Sequence, residues 1–331
     1  MPAENVEALM DINSRIFVAG HKGLVGSAIV RELHRGGYRN LVLRGRAELD
    51  LTRQQDVDRF FAEQRPEFVF LAAAKVGGIL ANRDYAADFI RDNLLIEVNV
   101  IDAAWRNGVE KLQFLGSSCI YPKLAPQPIK EEYLLTGPLE STNDAYALAK
   151  IAGIRMAQAY RKQYGFRTIS LMPTNLYGPG DDFDLQSSHV IPALIRKFHE
   201  AKVSGSPEAV IWGTGQPRRE FLHVDDLAAA AVYFMLHYEQ PEFVNIGSGT
   251  DLTIRELAVL IAGVIGFQGH LVFDSSKPDG TPRKLLDVTR ANAAGWQSRI
   301  PLREGIEQAY RWFVENVAGE ESRQTHSTSR R

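Results

Sequence analysis

The sequence predicts an α/β protein: a Rossmann-type doubly wound parallel sheet with a smaller α/β substrate-binding lobe. Three observations predict it. Apolar runs of strand length alternate with helical periodicity through the first half of the chain. A glycine-rich turn joins the first strand to the first helix, and the rhythm breaks after Tyr177. Residues 15–20 (RIFVAG) form a short apolar run ending in glycine, the pattern of a buried strand. Helical periodicity follows over 24–35, with Leu24, Ile29, Val30 and Leu33 available to one face. A strand is expected at 41–43, a helix at 54–64 and a strand at 68–72. A long helix through 94–105 precedes a strand at 112–115, a helix at 144–164 and a strand at 168–172. Such alternation implies right-handed crossovers and a parallel sheet with helices on both faces.

Residues 178–186 read as a Gly/Pro/Asp loop. Beyond it we expect a helix near 189–201, a strand at 209–212, a helix at 224–237 and a strand at 243–246, the last two returning to the main sheet. Helices near 254–265 and 303–317 suit the second lobe. The expected division is therefore interleaved, with 13–178 and 220–248 binding a dinucleotide and 179–219 and 249–318 binding substrate. No internal repeat is present. The first residues lack the basic start and apolar stretch of a signal peptide. The Ser/Thr/Arg-rich stretch 319–331 is expected to be a disordered tail.

Composition narrows the function. Of 331 residues 45% are apolar and 24% charged, and the net charge of −2 gives no electrostatic reason to expect nucleic acid or an anionic membrane as partner. One cysteine excludes an intramolecular disulfide framework and a multi-cysteine metal cluster. It favours a reducing compartment, and no apolar run is long enough to span a bilayer. The expectation is a cytoplasmic enzyme without a bound metal.

The turn after the first strand reads Gly20, His21, Lys22, Gly23, Leu24, Val25, Gly26. Glycines at this spacing permit a tight turn, close approach of backbone to a pyrophosphate, and close helix–strand packing. Three glycines alone form many turns; here a strand precedes them and a helix follows. An NAD site places an acid about 20 residues further on, for the ribose hydroxyls. This sequence instead has Arg46 in that region and no acid until Glu48. A guanidinium suits a 2′-phosphate, and Lys22 adds a second charge, so NADP(H) is the expected cofactor.

Tyr146 and Lys150 lie four residues apart on one face of the helix expected at 144–164. An ammonium beside a phenol favours tyrosinate, lowering an otherwise high pKa and making the group usable for proton transfer. The pair follows Ser117 and Cys119 in the turn Gly-Ser-Ser-Cys capping the fourth strand, where open α/β sheets place ligands. Each feature has a plainer reading: a half-exposed helix, turn chemistry, a small buried cysteine. Their weight comes from their joint position.

At this point the chain resembles the GDP-L-fucose synthases of the extended short-chain dehydrogenase/reductase class. The resemblance is carried by 20–26, AAAKVGGI at 72–79, LGSSCIYPK at 115–123, YALAK at 146–150, PTNLYGPG at 173–180, SHVIPA at 188–193, REFLHVDD at 219–226 and KPDGTPRKLLD at 277–287. It covers about residues 15–316. It implies epimerisation of GDP-4-keto-6-deoxy-D-mannose at C3 and C5, followed by NADPH reduction at C4, in a homodimer paired through the helices before the fourth strand and around YxxxK. It further implies cofactor contacts at Asp50, Leu51, Ala73, Lys150, Pro173, Thr174, Asn175, Leu176 and His189. Ser117 and Tyr146 would polarise the C4 carbonyl, and Cys119 and His189 would invert C3 and C5, since thiol and imidazole titrate near neutrality when suitably placed. Lys197, Trp212, Arg219 and Asp279 would meet the nucleotide end. Rival readings are another NADP(H)-dependent nucleotide-sugar 4-reductase or epimerase, or a 4,6-dehydratase, which would carry an acid where Cys119 stands. A non-catalytic NADP sensor would have lost the tyrosine or the lysine.

Overall fold

The computed structural model describes residues 10–319 except 186 and 278, with the side chains of 79 and 80 left aside. The leader before residue 10 and the expected tail beyond 319 lie outside the described residues. In chain order the first half runs β1 (Ile16–Ala19), α1 (Leu24–Arg35), β2 (Leu41–Val42), α2 (Gln54–Gln64), β3 (Phe68–Leu71), α3 (Ile79–Asp84), α4 (Ala86–Arg106), β4 (Lys111–Leu115), α5 (Asp144–Tyr164), β5 (Arg167–Pro173) and β6 (Asn175–Tyr177). The second half runs α6 (Val190–Ser204), β7 (Glu208–Trp212), β8 (Arg218–His223), α7 (Val224–His237), β9 (Val244–Ile246), β10 (Asp251–Thr253), α8 (Ile254–Ile265), β11 (His270–Asp274), β12 (Arg283–Lys284), α9 (Thr289–Ala293) and α10 (Leu302–Phe313).

The main sheet has six strands in the order β2-β1-β3-β4-β5-β9, and every neighbouring pair is parallel. Its central strands are apolar on both faces, as a sheet covered by helices on both sides requires; all four residues of β1 and of β3 are buried. One apolar cluster joins β1, β3 and β4 to α2, α4 and α5 through Phe17, Phe61, Val100, Phe114 and Ile154. Another lies on the opposite face and joins the sheet to α1 and α7 through Ile29, Leu33, Leu227 and Phe234. The doubly wound fold class is thus observed, and α7 and β9 do return to the main sheet.

A third apolar cluster gathers α6, α8 and α10 around Phe198, Leu257, Ile261 and Phe313. Beside it β8 pairs with β6, β10 and β12, while β7 pairs with β11 in a separate parallel ribbon. Helix α8 starts on a full capping box, Thr253 taking the Glu256 amide and Glu256 the Thr253 amide. Five of these strands (β6, β8, β10, β11 and β12) are absent from the sequence reading because they are short or polar; β8 reads RREFLH and β12 is two residues long. The helix expected at 303–317 ends at Phe313 and continues as a wider turn over Val314–Ala318. No helix among the described residues is long and apolar enough to cross a membrane, and none of their His, Cys, Asp and Glu side chains cluster as a metal site.

Candidate active site

A cleft of about 860 Å³ opens where the chain leaves β1, β3, β4 and β5, lined from these turns by residues 20–26, 72–77, 115–119 and 173–176. This is the crevice beyond the carboxyl ends of parallel strands.

Its first wall is a phosphate cradle. Gly20 has φ +84°, and a Cβ there would lie 2.8 Å from the Ala73 backbone. A Cβ on Gly26 would lie 2.1 Å from the Gly20 carbonyl oxygen, so the first turn of α1 packs directly on the loop. Gly23 precedes α1 without any side-chain cap, leaving the helix-terminal amides to an anion. The Lys22 ammonium reaches across to the turn after β2, where a Cβ on Gly45 would meet it at 3.0 Å. Glu48 accepts from the Gly45 amide at 2.7 Å and so folds back into its own turn. Arg44 and exposed Arg46 line the same end of the cleft. These residues fit a dinucleotide carrying a 2′-phosphate. Asp50 accepts from the Thr52 amide and hydroxyl, which holds its carboxyl below the usual range. The carbonyl of Leu51 is fixed by Asn99 at 2.9 Å. At the far wall Thr174 and Asn175 both donate to the Glu220 carbonyl, so 173–176 line the cleft on a rigid support.

Tyr146, Lys150 and Ser117 all line this cleft. Ser117 Oγ accepts from the Cys119 amide at 3.3 Å, closing the turn after β4. The Lys150 ammonium lies 5.9 Å from the centre of the Tyr146 ring and 4.6 Å from that of Phe114. Its carboxylate partner is Glu97 of α4, at 3.2 Å, with both side chains 2% exposed or less. This corrects the sequence expectation for the phenol. Burial pushes the Tyr146 hydroxyl well above its ordinary value, and Cys119 and Glu97 push the same way. The ammonium that was expected to lower it is itself paired with an acid from another helix.

Cys119 and His189 line the same cleft from separate elements, the turn after β4 and the residue preceding α6. Burial raises the Cys119 thiol, partly offset by Lys284 and by the Ser117 hydroxyl. Burial lowers the His189 imidazole, Lys284 adds to the lowering, and Asp182 opposes it. The thiol is thus pushed up and the imidazole down from their ordinary values, the imidazole although His189 keeps an exposed face. Lys284, quoted in the sequence only as part of its loop, is half-buried, lines the cleft and acts on both. Asp181 is a further group that sequence reading passed over: burial lifts its carboxyl to about 7, with one oxygen buried and unpartnered. Its signal was an acid pair inside a Gly/Pro loop, which reads as turn chemistry.

The four residues expected at the nucleotide end form a patch outside the lining of this cleft. The Lys197 ammonium sits 5.0 Å from the Trp212 ring centre, and Lys277, quoted in the sequence only as the start of its motif, sits at 5.6 Å. Trp212 is 52% exposed, so it is available to a ligand rather than part of the core. Asp279 accepts from the amide and hydroxyl of Thr214, both at 2.8 Å; its carboxylate holds the 213–215 turn. Arg219 on β8 pairs in register with Lys284 on β12, which joins the patch to the cleft.

The fold and this cleft define a dinucleotide-dependent α/β enzyme, and the comparisons agree: the model of the NAD dependent epimerase/dehydratase family matches residues 16–247, and the chain belongs to that family. More narrowly, it is 62% identical over 310 residues to probable GDP-L-fucose synthase 1 of Oryza sativa subsp. japonica, covering 93% of this chain and 94% of that one. Among solved structures it is similar to a GDP-L-fucose synthetase from Naegleria fowleri bound to NADP, with TM-score 0.87 and 29% identity over 93% and 95% of the two chains. It is also similar to a GDP-mannoheptose C4 reductase from Campylobacter jejuni with NADP bound, with TM-score 0.86 and 42% identity over 92% and 99%.

Proposed function

We propose that this chain converts GDP-4-keto-6-deoxy-D-mannose to GDP-L-fucose, inverting C3 and C5 and then reducing C4. One observation carries the reading: a single cleft holds a phenol–ammonium pair suited to a carbonyl and a thiol and imidazole suited to its neighbouring carbons. The 62% identity to a probable GDP-L-fucose synthase supports the substrate. NADPH, when bound, supplies the hydride. Gly20–Gly26 would hold its diphosphate, and Lys22 and Arg46 its 2′-phosphate.

The chemistry of this chain's residues follows from their states. A C4 ketone acidifies the hydrogens at C3 and C5. Neutral His189 can accept such a proton, and the protonated Cys119 thiol can return one to the opposite face, giving inversion. Tyr146, half-buried and protonated, donates to the C4 oxygen, with Ser117 lining the same cleft. Lys197, Trp212 and Arg219 would receive the nucleotide diphosphate, on a turn held by Asp279. Residues 13–178 and 220–248 would form the cofactor lobe, and 179–219 and 249–318 the substrate lobe. A homodimer would form through α4 and α5, whose Leu95, Val98, Leu148 and Tyr164 are exposed. We place the enzyme in the cytoplasm.

The test is incubation with substrate and NADPH in deuterium oxide, with the product read by NMR. The expected product carries deuterium at C3 and C5 and a hydroxyl at C4. The likeness to a C4 reductase defines the second reading, and a reduced product without deuterium would establish it instead.

A further inference from the structure

The Glu97–Lys150 pair has no evident structural purpose. Glu97 projects from the middle of α4 into the seam with α5, where Lys150 is its sole partner: neither carboxylate oxygen takes a hydrogen bond from any other described group. The seam is shaped to admit it. Gly153 follows Lys150 by three residues on α5, and a Cβ there would lie 2.7 Å from Glu97 Oε2 and 2.5 Å from the Phe114 ring. Replacing a buried ion pair by apolar residues of similar size is often neutral or stabilising, so packing alone does not account for it. What distinguishes this pair is its cation, which lies under the Tyr146 ring.

We propose that Glu97 is a positioning residue for the reduction: it anchors the Lys150 ammonium beneath Tyr146 and offsets its charge, so that the phenol meets substrate protonated. In that state it is the donor a ketone needs. The proton leaves the Tyr146 oxygen for the C4 oxygen, and a solvent proton then restores the phenol. Groups facing Tyr146 come from three elements: Glu97 on α4, Lys150 on α5, and Cys119 after β4. Lys284 on β12 stands behind Cys119, and His189 and Asp92 line the same cleft, Asp92 being held by Lys75 and Arg91. Burial holds the Glu97 carboxyl above its ordinary value and Lys150 offsets part of that rise, as an acid with one cationic partner should behave.

The inference rests on Tyr146 being the proton donor, and its test has one arm independent of that reading. Tyrosinate absorbance is followed against pH in the free protein, with Tyr146→Phe versions subtracted to isolate one residue. In Glu97→Gln the Tyr146 tyrosinate should form at lower pH than in the parent. Glu97→Asp should keep the parent titration, and Glu97→Gln with Lys150→Met should restore it by removing both charges. A Tyr146 titration unmoved in folded Glu97→Gln, or still low in the double variant, overturns the proposal. The second arm follows C4 reduction. Its rate on the alkaline side should fall roughly tenfold in Glu97→Gln, a fraction of a full general-acid contribution, and recover in Glu97→Asp. If the titration moves while that limb does not, the charge offset stands, and Tyr146 is not the donor.

Discussion

The two halves of the cleft are built in different ways. Tyr146 and Lys150 share one helix and are locked from below by an acid of the neighbouring helix, in a seam too tight for a methyl group at residue 153. Cys119 and His189 come from a turn after β4 and the entry to α6, with Lys284 acting on both from β12. The first half is a fixed ion-paired unit, in which Cys119 and Glu97 add to the effect of burial on the Tyr146 phenol. In the second half burial is again the largest influence on each group, and the charge that acts on both comes from Lys284 rather than from a carboxylate paired beneath them. A ketone reduction has one proton to deliver to one oxygen. Inversion at two carbons needs groups that can both give and accept, and weakly engaged neutral groups suit that demand.

Substitutions that separate the halves break or sharpen this contrast. Tyr146→Phe should have the largest effect, lowering C4 reduction by about 10²–10⁴-fold, measured as NADPH consumption. Deuterium uptake at C3 and C5 should largely persist, and its loss in parallel would merge the two halves. Cys119→Ser should slow that uptake by on the order of 10²-fold with a smaller effect on reduction of an already inverted substrate. Equal loss in both assays removes Cys119 from inversion.

The contrast also explains what could be read without a structure. The Tyr146–Lys150 relation is a helical spacing and the Gly20–Gly26 turn a local one, so both stand in the sequence as written. So does the alternation behind the main sheet, because β1, β3, β4 and β5 are apolar runs bounded by turns. Glu97 did not stand out: it is one acid in the 21-residue α4, and only its packing against Gly153 reveals its partner. The sign of the Tyr146 shift was misjudged because the ammonium was visible in sequence, whereas the burial that dominates the shift and the added charges of Cys119 and Glu97 were not. Lys284 and Asp181 escaped similarly, one on a two-residue strand and the other in a loop, where periodicity carries no information.

The nucleotide wall offers a more modest effect. Lys22→Ala should raise the KM for NADPH about fivefold, the range for one partly exposed ion pair, while leaving activity with NADH almost unchanged. An equal loss with both cofactors would mean that Lys22 supports the glycine turn rather than the 2′-phosphate.

The smallest effect expected is a displacement rather than a loss, and it probes the weakly engaged half directly. A cation near a thiol favours thiolate and so lowers its pKa; near an imidazole it disfavours imidazolium and lowers that pKa as well. Lys284 acts in both senses, on Cys119 and on His189. Replacing it by methionine removes the charge while keeping most of the side chain's bulk, so both pKa values should rise. The imidazole would then lose its proton, and become a base, only at higher pH, and the thiol would keep its own to higher pH. Both limbs of the pH profile for deuterium uptake at C3 and C5 should therefore move up together. The alkaline limb of C4 reduction should stay close to the parent's, because Tyr146 answers to Glu97 and Cys119. If only one limb of the uptake profile moves, Lys284 governs one member of the pair, and the two groups do not act as a unit.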